Sequence, residues 1–162
     1  MREIFAHTFF IVLELVLLFV QYQRAEVFAF EVLPEFADVE FFFIYGSNLI
    51  GVLWLLLVVF FTYIFWEFLL KIIDDRKKDE AERNPNINYI KFSFLIILIF
   101  NVGVIFGEFM FFTKLIADDL ASGTDSILAL LVGIIMVGAH QVASFWIMQN
   151  VVHVFFFSKE RK

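Results

Sequence analysis

Two residue types are wholly or nearly missing from this sequence: it has no cysteine, and only two of its 162 residues are proline. Without cysteine the chain can form no disulfide, no thiolate-bound metal site, no iron–sulfur cluster and no cysteine nucleophile. The glycine-rich nucleotide-binding motifs are also missing, as is the G-x-S-x-G motif of serine hydrolases. Enzymatic activity therefore has little support, and the sequence identifies no cofactor.

Hydrophobic residues, in contrast, make up 62% of the chain. They fall in four long runs, which cover residues 4–20, 41–70, 92–113 and 126–157. A bilayer core of about 30 Å requires about 20 apolar residues of helix to cross it, and each run reaches or nearly reaches that length. A soluble helix would carry a polar stripe, whereas the segment 51–61 is apolar on every face. We therefore predict an integral membrane protein, in an inner or plasma membrane, in contact with lipid.

Prolines and polar breaks predict the helix boundaries. Pro34, followed by Glu35 and Asp38, is typical of a helix start, and Pro85 between two asparagines is typical of a break. The predicted helices are about 3–22, 34–82, 88–117 and 125–157, with a cytoplasmic loop within 71–91. Short connectors favour sequential neighbours that run in opposite directions. The expected fold is all-α, a polytopic membrane protein in which residues 1–162 form one antiparallel bundle of four transmembrane helices.

The basic residues predict the orientation of that bundle. Ten of the twelve Lys and Arg lie at the two termini or in and beside the 71–91 loop, and only Arg24 and Lys114 lie on the other side. The positive-inside rule then puts both termini in the cytoplasm, which requires an even number of crossings. The formal net charge of −6 divides between two loops instead of forming one patch, so no nucleic-acid partner is expected.

Polar residues inside the apolar runs are the best pointers to function, because a charge near mid-bilayer costs about 3 kcal/mol. The first predicted helix carries Glu14 near its middle, with His7 and Gln21 seven residues away on the same face. The third carries Asn101 and Glu108, also seven residues apart. Both faces are expected to contact protein or water rather than lipid.

The fourth predicted helix carries His140 and Ser144 near its centre. Depth counted at about 1.5 Å per residue allows four residues to converge between the first, third and fourth helices, namely Glu14, Glu108, Asn101 and His140. Two carboxyls that share a dry site repel each other as anions, so one holds a proton unless a cation lies between them. We predict that these four residues bind a proton or a cation, supported by a secondary polar set of His7, Gln21, Asn48 and Ser144. The alternative for Glu14 is a protonated structural carboxyl bonded to another helix.

Four glycines within the apolar runs are candidates for helix packing. Gly103 and Gly107 form a G-x-x-x-G motif on the third predicted helix, and Gly133 and Gly138 lie on the fourth. A glycine has no side chain, so a neighbouring helix can approach its backbone closely. We expect all four at helix–helix contacts.

Metal and haem sites are weaker interpretations of the same polar residues. Two glutamates and a histidine are a plausible ligand set for zinc, manganese or iron, but they come from separate helices and no E-x-x-H or H-x-x-x-H pair accompanies them. His140 and His153 are thirteen residues apart, a spacing that can place two haems, but only His7 is left as a further ligand. The sequence leaves open whether any metal binds.

Three functions remain open at this point. The first is a subunit of a proton- or cation-conducting channel or transporter, without the potassium-filter motif or an arginine-rich voltage sensor. The second is a non-catalytic structural or accessory subunit of a larger membrane complex, whose 25 phenylalanines offer a surface for lipid, quinone, pigment or another subunit. The third is a membrane enzyme with a Glu/His metal site. Because four helices are few for a complete pathway, we expect a homo-oligomer or other membrane subunits.

Overall fold

The computed structural model describes residues 2–78, 84–115 and 126–152 of the chain. Its elements in chain order are α1 (Arg2–Val32), α2 (Pro34–Ala37), β1 (Glu40–Phe41), β2 (Ile44–Tyr45), α3 (Gly46–Arg76), α4 (Ile87–Lys114) and α5 (Ser126–Ile147), with a π-helical segment at Met148–Val152. The structure is about 89% helical, as expected for an all-α fold. Within these ranges, four helices are long and apolar enough to cross a membrane, which is consistent with an integral membrane location.

Helix α1 ends ten residues later than the sequence predicted, at Val32 rather than near residue 22. The mixed polarity of residues 25–32 indicated a connector, and that prediction was wrong. Ala25 and Ala29 are buried on this extension, and the carboxylate of Glu31 forms an ion pair with Lys114 at the end of α4. A helix that projects beyond the bilayer can carry charged residues on its exposed side, so charge does not mark its end.

The second predicted helix begins later than expected. Pro34 does start a helix, but this helix, α2, is a single turn that ends at Ala37. A two-stranded antiparallel hairpin follows, and the long helix α3 begins only at Gly46. A side chain at Gly46 would lie 2.0 Å from the backbone oxygen of Phe36, so only glycine allows α2 to approach the start of α3 this closely. The helix-start signal at Pro34 was therefore correct locally and wrong about the length of the element.

The hairpin has an unusual turn. Phe41 pairs with Ile44, so its loop consists of two residues only, Phe42 and Phe43. Their φ angles are 49° and 72°, the left-handed region that two-residue hairpin turns of type I′ require and that asparagine and glycine normally supply. Both phenylalanine side chains are almost fully exposed, at 95% and 92%. The turn therefore holds two bulky residues in a strained backbone conformation at the tip of the hairpin.

The remaining boundaries lie close to the predicted ones where they fall on described residues. Helix α3 ends at Arg76, and the predicted end near residue 82 lies outside the described ranges. Asp75 is buried at this end and accepts a hydrogen bond of 2.8 Å from the backbone N–H of Asn84. Helix α4 begins at Ile87, one residue before the predicted start. The predicted ends of the third and fourth helices, at residues 117 and 157, again lie outside the described ranges.

The four long helices pack as a bundle in which α1 contacts α3 and α5, and α4 contacts the same two helices. In the aromatic contacts between α3 and α4, residues later in α3 pair with residues earlier in α4. The pairs are Trp54 with Phe111, Phe61 with Phe100, and Phe65 with Phe94. The apolar core includes Leu17, Phe112 and Val137. Many large apolar side chains on all four helices are exposed instead, as lipid contact requires. The buried polar side chains described next lie between the helices.

Candidate functional site: a buried carboxylate, histidine and carboxylate

Three ionisable side chains from three helices meet inside the bundle. The imidazole of His140 on α5 lies between Glu14 of α1 and Glu108 of α4. Its Nε2 is 3.2 Å from Oε1 of Glu14, and its Nδ1 is 2.8 Å from Oε1 of Glu108. Only 3% of Glu14 is exposed, and Glu108 and His140 are fully buried. We call these three residues the triad.

The contacts within the triad are short but are not aligned as hydrogen bonds. Both nitrogens of His140 are close to a carboxylate oxygen, yet neither N–H direction gives hydrogen-bond geometry. If both nitrogens carry protons, the ring is a cation between two carboxylates. The net charge of the three groups is then −1 when both carboxyls are ionised. An opposite charge at this distance is a strong interaction in a dry site, because little water is present to screen it.

Two hydroxyl groups complete the surroundings of Glu14. Ser144 donates to its Oε1 at 3.0 Å, and Tyr63 of α3 donates to the same oxygen at 3.4 Å. Ser144 lies one helical turn after His140 and is also 2.7 Å from the backbone carbonyl of that residue. The hydroxyl of Ser144 has one proton, so it can donate to only one of these two oxygens at a time.

An amide and an indole complete the surroundings of Glu108. The side-chain amide of Gln21 on α1 donates to Oε1 of Glu108 at 3.2 Å. The indole N–H of Trp54 on α3 in turn donates to Oε1 of Gln21 at 3.1 Å. Gln21 is fully buried, like the carboxylate that it contacts. All four long helices therefore contribute at least one side chain to a single connected polar cluster.

This cluster extends along the bundle rather than across it. Glu14 and Gln21 are seven residues apart on α1, which is about 10 Å of helix at 1.5 Å per residue. Trp54 and Tyr63 are nine residues apart on α3, or about 13.5 Å on the same scale. The order of contacts is Tyr63, Glu14, His140, Glu108, Gln21, Trp54. Polar side chains thus cover a substantial part of the thickness of a bilayer core, which is about 30 Å.

Several buried polar atoms near this level of the bundle have no hydrogen-bond partner among the residues of the described ranges. They include the second carboxylate oxygens of Glu14 and Glu108, both amide atoms of Asn101, and the hydroxyl of Thr62. Buried polar groups without partners are uncommon in proteins, and ordered water is the usual partner where the protein supplies none.

The structure brings together only some of the residues that the sequence singled out. Glu14, Glu108 and His140 are in direct contact, and Gln21 and Ser144 from the secondary set join them. Asn101 is buried as expected, but its side chain makes no hydrogen bond to the triad.

The other two residues of the secondary set lie away from the triad. His7 packs edge-on against Trp146, with ring centroids 4.5 Å apart. Asn48 accepts a 3.4 Å hydrogen bond from its neighbour Ser47 near the start of α3. These contacts place His7 against α5 and Asn48 at the start of α3.

Sequence reasoning missed Tyr63 and Trp54. Both lie in the long apolar run of α3, where aromatic side chains indicate lipid-facing bulk. Each carries one polar atom on a ring, and such residues normally find a hydrogen-bond partner when buried. That polar atom was the available signal, but it does not reveal which way the ring points.

Only two of the four candidate glycines lie at close contacts between helices. A Cβ at Gly107 would lie 2.4 Å from the Trp54 ring, and one at Gly133 would lie 2.5 Å from Oγ1 of Thr113, so both glycines lie at close contacts between helices. Gly103 and Gly138 have nothing within 4 Å, and the prediction that these two lie at helix contacts was wrong. Spacing alone could not distinguish the two members of the G-x-x-x-G motif, because they are four residues apart and their directions differ by about 40°.

A resident metal finds no support in the geometry. Among the described residues, no group of three or more His, Asp or Glu side chains is arranged to hold a metal ion. Both nitrogens of His140 already face carboxylates, so neither is directed at a common metal position. His153 of the haem interpretation lies outside the described ranges.

No family model, curated protein or solved structure matches this chain. The functional interpretation therefore depends on the geometry and the chemistry of the site alone.

Proposed function

We propose that this protein is a subunit of a proton- or cation-conducting channel or transporter in which Glu14, Glu108 and His140 form the ion site. The observation that carries the proposal is the burial of two carboxyls from different helices against one histidine, with 3% and 0% of the glutamates exposed. Charged groups inside a membrane are costly and are usually retained at ion pathways, proton relays or ligand sites. A merely structural polar contact would need only one pair of such groups.

Charge counting favours a proton as the ion. When His140 is a cation and both carboxyls are ionised, the triad has a net charge of −1 in a dry environment. Burial disfavours a net charge, so the triad gains by taking up one proton and becoming neutral. The site therefore has a chemical reason to alternate between two protonation states.

The contacts of the triad also favour a proton over a metal cation. Sodium or potassium would need several oxygen ligands directed at one point, whereas the imidazole of His140 occupies the space between the two carboxylates. The remaining neighbours of Glu14 are the hydroxyls of Tyr63 and Ser144, which can both accept and donate protons. Hydroxyl, carboxyl and imidazole groups in contact are suited to moving protons.

The proposed setting is an antiparallel bundle that crosses the membrane four times with both termini in the cytoplasm. In that orientation the Tyr63 end of the cluster faces the cytoplasmic side and the Trp54 end faces the hairpin on the outer side. Four helices enclose little space for a complete pathway, so a homo-oligomer or partner subunits would supply the rest of the route.

Reconstitution into liposomes with an ion panel tests this proposal. Vesicles that contain the purified wild-type protein should pass protons under an imposed membrane potential, and sodium or potassium much less. Glu108→Gln should reduce the flux strongly. Glu67→Gln is the matched control, because Glu67 is a glutamate in an apolar helix that pairs with Lys71 at 2.5 Å, away from the triad. Wild-type vesicles that pass none of the three ions would contradict transport by this chain alone and would favour an accessory subunit.

A further inference from the structure

The hydrogen bonds of Gln21 have a fixed direction. The indole nitrogen of Trp54 is a donor only, so the atom of Gln21 that faces it must be the amide oxygen. The amide NH₂ of Gln21 then points the other way, towards Oε1 of Glu108. A flipped amide would place NH₂ against N–H at one end and oxygen against a carboxylate at the other, and both contacts would repel. Trp54 therefore makes Gln21 a donor to Glu108.

This fixed donor favours the ionised form of Glu108. Its Oε1 lies 3.2 Å from the amide nitrogen of Gln21 and 2.8 Å from Nδ1 of His140. A carboxylate that accepts a hydrogen bond from an amide and lies beside a protonated imidazole is stabilised as the anion. A proton on this oxygen would compete with both neighbours for the same lone pairs. The surroundings of Glu108 are thus built for an acceptor.

The surroundings of Glu14 are built differently. Its hydroxyl neighbours, Ser144 and Tyr63, each have one proton to give and lone pairs that can accept. Ser144 has a shorter alternative acceptor, the carbonyl of His140 at 2.7 Å, compared with 3.0 Å to Glu14. When Ser144 donates to that carbonyl, its oxygen is free to accept a hydrogen bond from a protonated Glu14. Glu14 can therefore be an anion or a neutral acid without losing its partners.

We propose that the two glutamates have separate roles: Glu108 is a permanent anion oriented through Gln21 and Trp54, and Glu14 alone gains and loses the conducted proton, with the Tyr63 hydroxyl as its exchange partner. The transport of this proton rests on the proposed function, whereas the assignment of protonation states to the two glutamates does not. Trp54 and Gln21 are positioning residues in this scheme, since they act through Glu108.

The proton transfer balances without an oxidant, a reductant or a metal. A proton from water binds to the oxygen of Tyr63 while the original O–H bond of that hydroxyl breaks. The released proton forms an O–H bond on the carboxylate of Glu14, and water is left with one proton fewer. The net charge of the triad changes from −1 to zero, and His140 keeps both of its N–H protons. Release is the reverse of this step.

Titratable groups from the neighbouring helices face each carboxyl in the described part of the chain. Glu14 faces His140 from α5 and Tyr63 from α3, and Glu108 faces His140. Arg24, the next buried cation along α1, lies about 15 Å of helix beyond Glu14 and about one turn beyond Gln21, on the Glu108 side of the cluster. The local charge at Glu14 is therefore set mainly by the triad itself.

Infrared difference spectroscopy of the purified protein in lipid nanodiscs tests these roles without measuring transport. Lowering the pH should produce the carbonyl band of one protonated carboxyl buried in the protein. Glu14→Gln should abolish this band. Glu108→Gln should keep it, because Glu14 is the residue that takes up the proton in this scheme.

Trp54→Phe tests the positioning role. The ring remains, but the N–H that orients Gln21 is lost, so Glu108 should now also take up a proton and a second band should appear. The matched control is Trp66→Phe, since the indole nitrogen of Trp66 has no hydrogen-bond partner among the described residues. Tyr63→Phe should leave the band of Glu14 in place and slow its formation several-fold after a pH jump.

Two outcomes would overturn the proposal. If the band disappears in Glu108→Gln and persists in Glu14→Gln, the roles are reversed. If the wild-type protein conducts protons but shows no pH-dependent band from Glu14, the exchange site lies elsewhere while the proposed function stands. A wild-type band from Glu14 without any ion flux would support the protonation roles and contradict the proposed function. Circular dichroism of each variant establishes whether it is folded. If Glu14→Gln does not fold, Tyr63→Phe still tests the proton exchange at Glu14.

Discussion

Nδ1 of His140 and Oε1 of Glu108 lie 2.8 Å apart, and both side chains are fully buried. The two residues come from α5 and α4, which pack side by side. In the proposed scheme the histidine cation and this carboxylate form a neutral pair, so Glu14 on the other ring nitrogen carries the surplus charge. This arrangement explains why a third ionisable residue in the bundle points to function rather than to packing.

Removal of His140 should leave two buried carboxyls without their cation. We expect His140→Leu to destabilise the protein by about 3 kcal/mol, because breaking a buried ion pair leaves an uncompensated charge. The loss should be larger at high pH, where each carboxyl must either ionise in a dry site or bind a scarce proton. Thermal unfolding in detergent at two pH values measures both effects.

A double variant provides the control for this prediction. His140→Leu combined with Glu108→Gln should be less destabilised than the sum of the two single changes, because only one carboxyl then remains in the site. Strictly additive losses would indicate that the three side chains do not interact, and a loss that does not depend on pH would argue against ionised carboxyls.

Gly107 and Gly103 form a matched pair for helix packing. A Cβ at Gly107 would meet the Trp54 ring at 2.4 Å, whereas one at Gly103 would meet nothing within 4 Å. We expect Gly107→Ala to lower the unfolding temperature, with a cost of about 1–3 kcal/mol for overpacking, and Gly103→Ala to leave it unchanged or raise it. Thermal melts of both variants in one detergent make the comparison. Equal effects would mean that α3 and α4 do not approach each other at Gly107.

The hairpin turn should be stabilised by glycine. Phe43 has a φ of 72°, and the left-handed region costs an ordinary residue about 1–2 kcal/mol. Phe43→Gly and Phe43→Ala both remove the ring, but only glycine relieves the backbone strain, so the glycine variant should be the more stable of the two. At Ile44, where φ is not positive, the order of the two variants should be reversed. Chemical unfolding of the four variants checks this, and an alanine variant at 43 that equals the glycine variant would count against a left-handed turn.

The predicted orientation can be tested with single cysteines, because the chain has none of its own. Glu40→Cys lies in the exposed hairpin and Lys77→Cys lies just after the end of α3. With both termini in the cytoplasm, an impermeant maleimide added to intact cells should label the first variant and not the second until the membrane is opened. The reverse pattern would invert the topology, and labelling of both before opening would mean that α3 does not cross the membrane.

Sequence reasoning could select the central residues of the site for a physical reason. A charged or amphoteric side chain is so costly in an apolar helix that Glu14, Glu108 and His140 stand out without any structure. The structure brings the three into contact, while the binding of an ion there stays a prediction. The long helices were predictable for a similar reason, because the length of an apolar run is limited by the bilayer.

The features that the sequence did not reveal depend on where side chains point and how the backbone turns, rather than on composition. Trp54 and Tyr63 could not be distinguished from lipid-facing aromatics, because both faces of a membrane helix are apolar and periodicity carries no signal. The hairpin was missed because its turn uses Phe42 and Phe43 in place of asparagine and glycine. The extension of α1 past residue 22 was missed because its charged residues resemble a connector.

Proton flux through Glu14→Gln tests the central claim most directly. Wild-type protein and this variant would be reconstituted at equal density in liposomes that contain a pH-sensitive dye, and a potassium gradient with valinomycin would drive protons inward. We predict that wild-type vesicles acidify, that Glu14→Gln vesicles acidify no faster than protein-free vesicles, and that the control Glu67→Gln, whose carboxylate pairs with Lys71, behaves like the wild type. Acidification by Glu14→Gln at the wild-type rate would contradict a role for this carboxyl in conduction.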